Sequence, residues 1–469
     1  MKRLHRWQSL SYRVLFLLAL GCSQPDTEPA EGARLTGGAK GRNLILITVD
    51  TLRADRLGAY GHLVQGSTPS PQIDAFMATG VRFASAIAPR AITWPSLASV
   101  LTGLYPRGHG VFENGYELLE GIPTLATILQ AQGYQTGRFL SNMCRANHLG
   151  WDESFCSRGV DSKINPQALD WLDGLDGERP FFLWVHYFGG HSPYYNGGDR
   201  AAKRLNPGYE GPVAPKKGWL NRIMTEETPL DEADTRHLDA LYDAAVMGSD
   251  RFAGGIVESL QQRALTENSL LVMLADHGED LYDHHQYIYH ACSVYQSGLH
   301  VPLAITAPGL LPANVVVEQS VGLLDVAPTI LDLLEIPPPD TLHGTSLVPY
   351  LERPGDAGEG RPAFSEYSPS RIHTVQLGEW KLVDNPDHES PYCLPGAPVG
   401  HYPLAAVELY NLADDPLETT NLATQYPERV AELQELIRRR FAELPQQLTP
   451  QEVPEALKEE LEALGYVAN

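Results

Sequence analysis

Asn43-Leu44-Ile45-Leu46-Ile47-Thr48-Val49-Asp50 is the stretch on which the reading of the fold turns. An unbroken aliphatic run bounded by polar residues reads as a strand buried on both faces, because a strand with one wet face would alternate. Runs of the same character recur. Residues 181–185 lead into His186, 270–275 into Asp276-His277, and 138–140, more weakly, into Ser141-Asn142; 301–306 is another. Helical patterns lie between them at 123–132, 238–262 and 325–334. Strands alternating with helices predict an α/β fold, a mainly parallel sheet covered by helices on both sides. From 351 the texture changes to a Gly-rich loop, short strand-like pieces at 371–377, 380–383 and 407–410, and a helix over 427–441. That segment reads as a smaller α+β domain with an antiparallel sheet.

The residues that follow the strands carry the chemistry. Open α/β sheets bind ligands outside the carboxyl ends of their strands. Asp50, Asn142, His186 with His191, and Asp276-His277 are all predicted to converge there. Asp276-His277-Gly278-Glu279 sets a carboxylate beside an imidazole, which suits a divalent metal with mixed oxygen and nitrogen ligands. A polar surface turn is the plain alternative. His284, His285 and His290 fall within seven residues of a chain that has 16 histidines. In Thr93-Trp94-Pro95-Ser96-Leu97-Ala98-Ser99-Val100-Leu101-Thr102-Gly103, Thr93 stands near a helix start, Pro95 in the first turn and Gly103 at the end. A hydroxyl there either caps the helix or sits where an anion is held.

The 469 residues are 43% hydrophobic and 20% charged, which excludes a disordered or collagenous chain. A formal charge of −23 repels phosphate backbones, so nucleic-acid binding is not expected. Lys2, Arg3, Arg6 and Arg13 precede an apolar run too short to span a bilayer, a signal-peptide pattern over 1–21. Leu18-Ala19-Leu20-Gly21-Cys22 resembles a bacterial lipobox, with Ala19 and Leu20 departing from its usual residues. The resemblance implies a lipid anchor on Cys22 and a periplasmic or outer-membrane lipoprotein; simple secretion is the alternative. Residues 22–41 read as a flexible tether. Beyond Cys22 four cysteines remain, and in an exported chain Cys144 and Cys156 are expected to pair.

Several ordered motifs from Arg42 onward resemble the sulfatase family of the alkaline-phosphatase superfamily. They are the stretch from Asn43 through Asp50-Thr51 to Gly58; Thr68-Pro-Ser-Pro-Gln-Ile-Asp74; Thr93 to Pro106; Asp276-His277-Gly-Glu279; Leu324 to Asp332; and His343-Gly-Thr-Ser-Leu347. The resemblance implies a large mixed sheet between helices over 42–350 and a smaller C-terminal domain over 351–469. It implies one divalent cation (Ca, Zn or Mn) on Asp50, Asp276 and His277 with Thr93 beside it, and catalytic roles for Thr93, His191 and His290. Asn142 and His186 are expected to touch substrate.

Departures shape the chemistry that the resemblance implies. Active sulfatases carry Cys or Ser where Thr93 stands, and oxidise it to formylglycine. Leu97 replaces a supporting Arg, Thr51 a second metal-binding Asp, and Gly189 an Asp found in many members. A second metal is thereby weakly supported. Relatives that cleave phosphodiesters do use a Thr nucleophile. Phosphoester hydrolysis or transfer through Thr93 is therefore favoured over sulfate-ester chemistry. The alternative is an inactive member that binds an anionic glycan or envelope component. The substrate is a small-molecule, glycan or lipid ester, and the loop over 196–228 carries no readable code for it.

Overall fold

The computed structural model describes residues 35–144, 150–194, 198–215, 230–284, 288–291, 293–355, 358, 360–367, 370–389, 404–445, 451, 453 and 458. The basic leader, Cys22, the tether up to residue 34, His285, Cys292 and Cys393 lie outside them, as do residues 196–197 and 216–228 of the loop. The described residues from Leu35 on form one compact unit. Among them no helix is long and apolar enough to cross a membrane.

The described residues form fourteen strands: β1 Asn43–Val49, β2 Val81–Ile87, β3 Gln135–Leu140, β4 Glu153–Cys156, β5 Phe181–Tyr187, β6 Ser269–Ala275, β7 Asp280–Leu281, β8 Ile288–Tyr289, β9 His300–Thr306, β10 Val315–Gly322, β11 Ala363–Tyr367, β12 Ile372–Leu377, β13 Trp380–Asp384 and β14 Val407–Asn411. Eight of them make one sheet in the order β10-β2-β9-β6-β1-β5-β3-β4. All neighbours are parallel except β9, which runs against both β2 and β6. The sheet is thus mixed and mostly parallel. The aliphatic run of β1 takes its centre, between β5 and β6, with Leu44 to Val49 fully buried. A strand paired on both edges and covered on both faces has no wet position, which is why its sequence does not alternate.

Three strands of this sheet, β2, β4 and β10, lie outside the aliphatic runs. β2 (Val-Arg-Phe-Ala-Ser-Ala-Ile) keeps Arg82, Ala84 and Ser85 half-buried, and its register with β9 shifts between Phe83 and Ala86. Pro302 of β9, which has no N–H to donate, faces that irregularity.

The helix predicted over 238–262 begins earlier, at Glu232, and runs to Gln262. Asp231 caps it, accepting from Ala233 N and Asp234 N. The added first turn is acidic, which suits the positive helix start but carries no apolar period. The C-terminal sheet is antiparallel in the order β11-β12-β13-β14. Its helix Pro427–Ala442 lays Leu433, Ile437 and Phe441 on Val375, Leu382 and Leu409. Cys144 and Cys156 are joined, with Cα atoms 5.3 Å apart.

Candidate metallohydrolase site

Each strand at the centre of the large sheet ends in a site residue. Asp50 follows β1, Asn142 lies two residues past β3, His186 is the penultimate residue of β5, and Asp276-His277 follow β6. All five are fully buried. After Asp50 the chain turns sharply at Thr51, whose φ of 55° is costly for a β-branched residue. The turn aims Thr51 N–H at Asp276 Oδ1, 3.2 Å away. Tyr242, on the helix Glu232–Gln262, clamps it by donating to Thr51 O and accepting from Arg53 N.

His277 Nε2 is the hub. It lies 3.6 Å from Asp50 Oδ1, 3.7 Å from Asp276 Oδ2 and 3.3 Å from Thr93 Oγ1. Its Nδ1 is 2.8 Å from Gly278 O, a contact only a protonated nitrogen can use. That assigns the lone pair to Nε2, the arrangement of a metal-binding imidazole held by its far nitrogen. His186 is built likewise. Its Nδ1 is 2.7 Å from Thr48 Oγ1, which accepts from Trp184 Nε1 and can donate to Val185 O. Nδ1 can then donate to Thr48, and Nε2 faces Asp50 Oδ2 at 3.9 Å.

Asp50, His186 and Asp276 place one ligand-type atom each within 4.8 Å of one another. Although buried, His186 Nε2 and Asp276 Oδ2 have no hydrogen-bond partner among the described residues. Buried polar atoms without partners are costly unless something binds them. The donor set, two carboxylates and imidazole nitrogens, fits a divalent cation. Burial, and next the charge of Asp50, push the Asp276 carboxyl well above its usual range. Burial, then His290, hold His277 well below its own. A cation relieves the first strain and needs the neutral imidazole that the second provides.

Thr93 opens the helix Thr93–Thr102, and Ile92 takes the cap position with no side-chain bond. The capping alternative for the Thr93 hydroxyl therefore gives way to a contact with His277. Ser96, one turn on, donates to Asp276 O at 2.6 Å and ties this helix to β6. The ring of His290 lies 4.6 Å from that of His277 and 4.8 Å from that of His191. Burial lowers His290 to about 3. Its Nδ1 is 2.9 Å from Glu279 Oε2, and Tyr194 donates to Glu279 Oε1 at 3.0 Å. Burial raises the Glu279 carboxyl to about 8.

Asn142 donates to Asp50 Oδ2, so its amide reaches a carboxylate of the metal-type group. His186, expected to meet substrate, stands in that group as well. His284 does not join it; its ring stacks on Tyr295. Glu279, Thr48, Trp184 and Tyr242 position the site residues; of these only Glu279 falls in a stretch the sequence singles out, and there without a role of its own. Gly189 has φ 56°, and a Cβ there would come within 2.5 Å of Val49 Cγ1 and 2.9 Å of Asp50 O. No side chain fits, so the chain offers no carboxylate from this position.

These geometries bring two carboxylates, imidazole nitrogens and a hydroxyl together at a helix start, a group that could hold a divalent cation. Residues 42–336 match the family model described as Sulfatase, well over half of the chain. The protein belongs to the sulfatase family, a family of ester hydrolases. Arylsulfatase K of Rattus norvegicus is 24% identical over 494 residues, covering 91% of this chain and 82% of its own. Among solved structures, BT4656 in complex with its substrate D-glucosamine-2-N,6-O-disulfate has a TM-score of 0.69 at 18% identity, covering 86% of this chain and 98% of its own. The phosphonate monoester hydrolase of Agrobacterium radiobacter has a TM-score of 0.68 at 21% identity, covering 88% and 98%.

Proposed function

We propose that the protein cleaves or transfers a phosphoric ester, with Thr93 as nucleophile, in preference to formylglycine-type sulfate-ester hydrolysis. The observation that carries this is Thr93 Oγ1, unable to become an aldehyde, at 3.3 Å from His277 Nε2 and at the start of a ten-residue helix. A divalent cation on Asp50, Asp276 and His277 would supply Lewis-acid activation there. Thr93 Oγ passes its proton to a neutral imidazole of the His191–His290 pair and bonds to phosphorus as the ester oxygen departs, and water or an acceptor hydroxyl then displaces Thr93 from phosphorus. Backbone N–H groups at the helix start favour the charge that gathers on the phosphoryl oxygens. His191 and His290 face the remaining side and handle the proton of the leaving oxygen, with Glu279 fixing the His290 ring. His186 joins the ligand side rather than the substrate side. One cation is proposed, since Gly189 leaves a second without its carboxylate.

The substrate of BT4656 favours a glycan as the organic part of the ester. The leader pattern supports export with a lipid on Cys22, and Cys22→Ser should then release the protein from membranes into the soluble fraction. The central test is turnover of nitrophenyl phosphate, phosphodiester, phosphonate and sulfate esters by metal-loaded protein, together with the mass of the peptide containing Thr93. Phosphorus esters should be preferred and the peptide unmodified. Robust sulfate-ester turnover would sink the phosphorus preference, and no turnover of any ester would favour the inactive binder.

A further inference from the structure

Three residues before Thr93 lies Arg90, 2% exposed. Its Nη2 reaches Glu113 Oε1 at a long 3.3 Å, while Nε and Nη1 have no hydrogen-bond partner among the described residues. The guanidinium also covers the Tyr367 ring at 4.2 Å. A cation–π contact offsets part of the lost hydration but satisfies no N–H.

Arg107 shows how this fold closes a guanidinium when it serves only as structure. It is 3% exposed and lies against Glu366, the residue before Tyr367. Its Nε donates to Glu366 Oε2 at 2.7 Å, Nη2 to Ser370 O at 3.0 Å and Nη1 to Pro445 O at 3.3 Å, while its backbone N–H takes Glu366 Oε1 at 2.9 Å. Arg90 has the same burial and one long contact, to a carboxylate 45% exposed. A buried guanidinium with two open donors is costly unless an anion or other acceptor meets it.

The surroundings tie Arg90 to the candidate site. Ala91 O accepts from Ala291 N, next to His290, at 2.7 Å. Asn114, next to Glu113, accepts from Trp94 N, next to Thr93, at 2.9 Å. The Arg90 head therefore lies on the Glu113–Asn114 side of the nucleophile's helix start. Its planar fork matches a two-oxygen face.

We propose that Arg90 is a specificity residue, whose open donors bind a second oxyanion, a carboxylate, sulfate or phosphate, carried by the organic part of the ester. This rests on the reading of Thr93 as the reacting centre and adds the substrate class, an ester with two anionic groups. Glu113 competes for Arg90 when no substrate is bound.

The test uses the metal-loaded protein and analogues that are not turned over: phenylphosphonate against its meta- and para-carboxylated forms, titrated by calorimetry. At least one carboxylated form should bind about tenfold or more tightly than phenylphosphonate. Arg90→Gln should collapse that ratio toward one, and Arg90→Lys should restore part of it. Glu113→Gln, a change on a half-exposed side chain that should fold, should raise the ratio. Equal binding of all three analogues to the native protein overturns the proposal, and so does a ratio that survives Arg90→Gln or does not rise in Glu113→Gln. If phenylphosphonate itself does not bind, the reading of the site fails, and the proposal with it.

Discussion

The carboxyl edge of the large sheet and the seam between the two sheets bury charge in opposite ways. At the seam two buried cations, Lys381 and Arg107, each meet a buried carboxylate. Lys381 of β13 donates to Glu418, whose other oxygen takes Gln296 N at 2.6 Å. Arg107 is saturated around Glu366, and Gln376 of β12 reaches Ser85 of β2 at 2.8 Å. At the edge, Asp50 and Asp276 face imidazoles that burial keeps neutral. Burial is the same in both regions, so burial alone does not separate structure from function. What separates them is whether the chain supplies the compensating charge. A closed pair holds the domain together, and an open one awaits a ligand.

The largest effect that would sharpen this contrast is at Thr93. Thr93→Ala should lower turnover by several orders of magnitude, about 1.4 kcal/mol of barrier for each tenfold, while the melting temperature hardly moves. Thr93→Ser should keep part of the activity. Undiminished turnover in the Ala variant would break the assignment.

At the seam the expectation reverses. Arg107→Leu takes the guanidinium away from Glu366, which is 3% exposed, and should cost about 3–5 kcal/mol in a urea titration. A loss below 1 kcal/mol would show that the seam pair is not closed as described.

The Cys144–Cys156 bond stands between the two cases, since Cys156 Sγ also lies 3.7 Å from Asn142 O, beside the Asn142–Asp50 contact. Its removal should cost about 3 kcal/mol at most for a loop of 12 residues' separation. Alkylation of both residues in the unreduced native protein would refute the bond.

The smallest effect has the opposite sign to ordinary core mutations. Asp276→Asn removes one of two buried like charges, so chelator-treated protein should gain about 1–2 kcal/mol. The same variant should lose the rise in melting temperature that added Zn, Mn or Ca gives the native protein. If chelator-treated native protein is the more stable, the edge is not an open cluster of like charges.

The sequence makes the edge more legible than the seam. β1, β5 and β6 are buried on both faces, so each shows as an unbroken apolar run, and the polar residue that ends it is conspicuous. Asp50, Asp276 and His277 stand out for that reason. β2 and β11 carry Arg82, Ser85, Ser365 and Glu366, whose partners lie far along the chain. Their burial is decided by pairs that no local window contains. The same holds within the site. Thr48 sits inside the apolar run of β1, Glu279 closes the Asp276-His277-Gly278-Glu279 motif and Arg90 stands in a turn, but only the folded chain brings His186, His290 and Glu113 to them. Gly189 is the converse, a departure from the family pattern that the sequence displays and only the closeness of Val49 and Asp50 explains.

Tyr242 has a consequence of its own. One phenol oxygen holds both sides of the Thr51 turn, and it comes from the second quarter of a 31-residue helix. The short helix Asp199–Leu205 rests on that same rod. Further along, the rod is held again where Asp250 accepts from Gln72 N and Ile73 N and where Phe252 O accepts from Asn165. A one-residue slip of the rod's register would swing the phenol through about 100° and release both bonds at once. The alignment of Asp50 and Asp276 thus hangs on the register of a distant helix as much as on the strands that carry them.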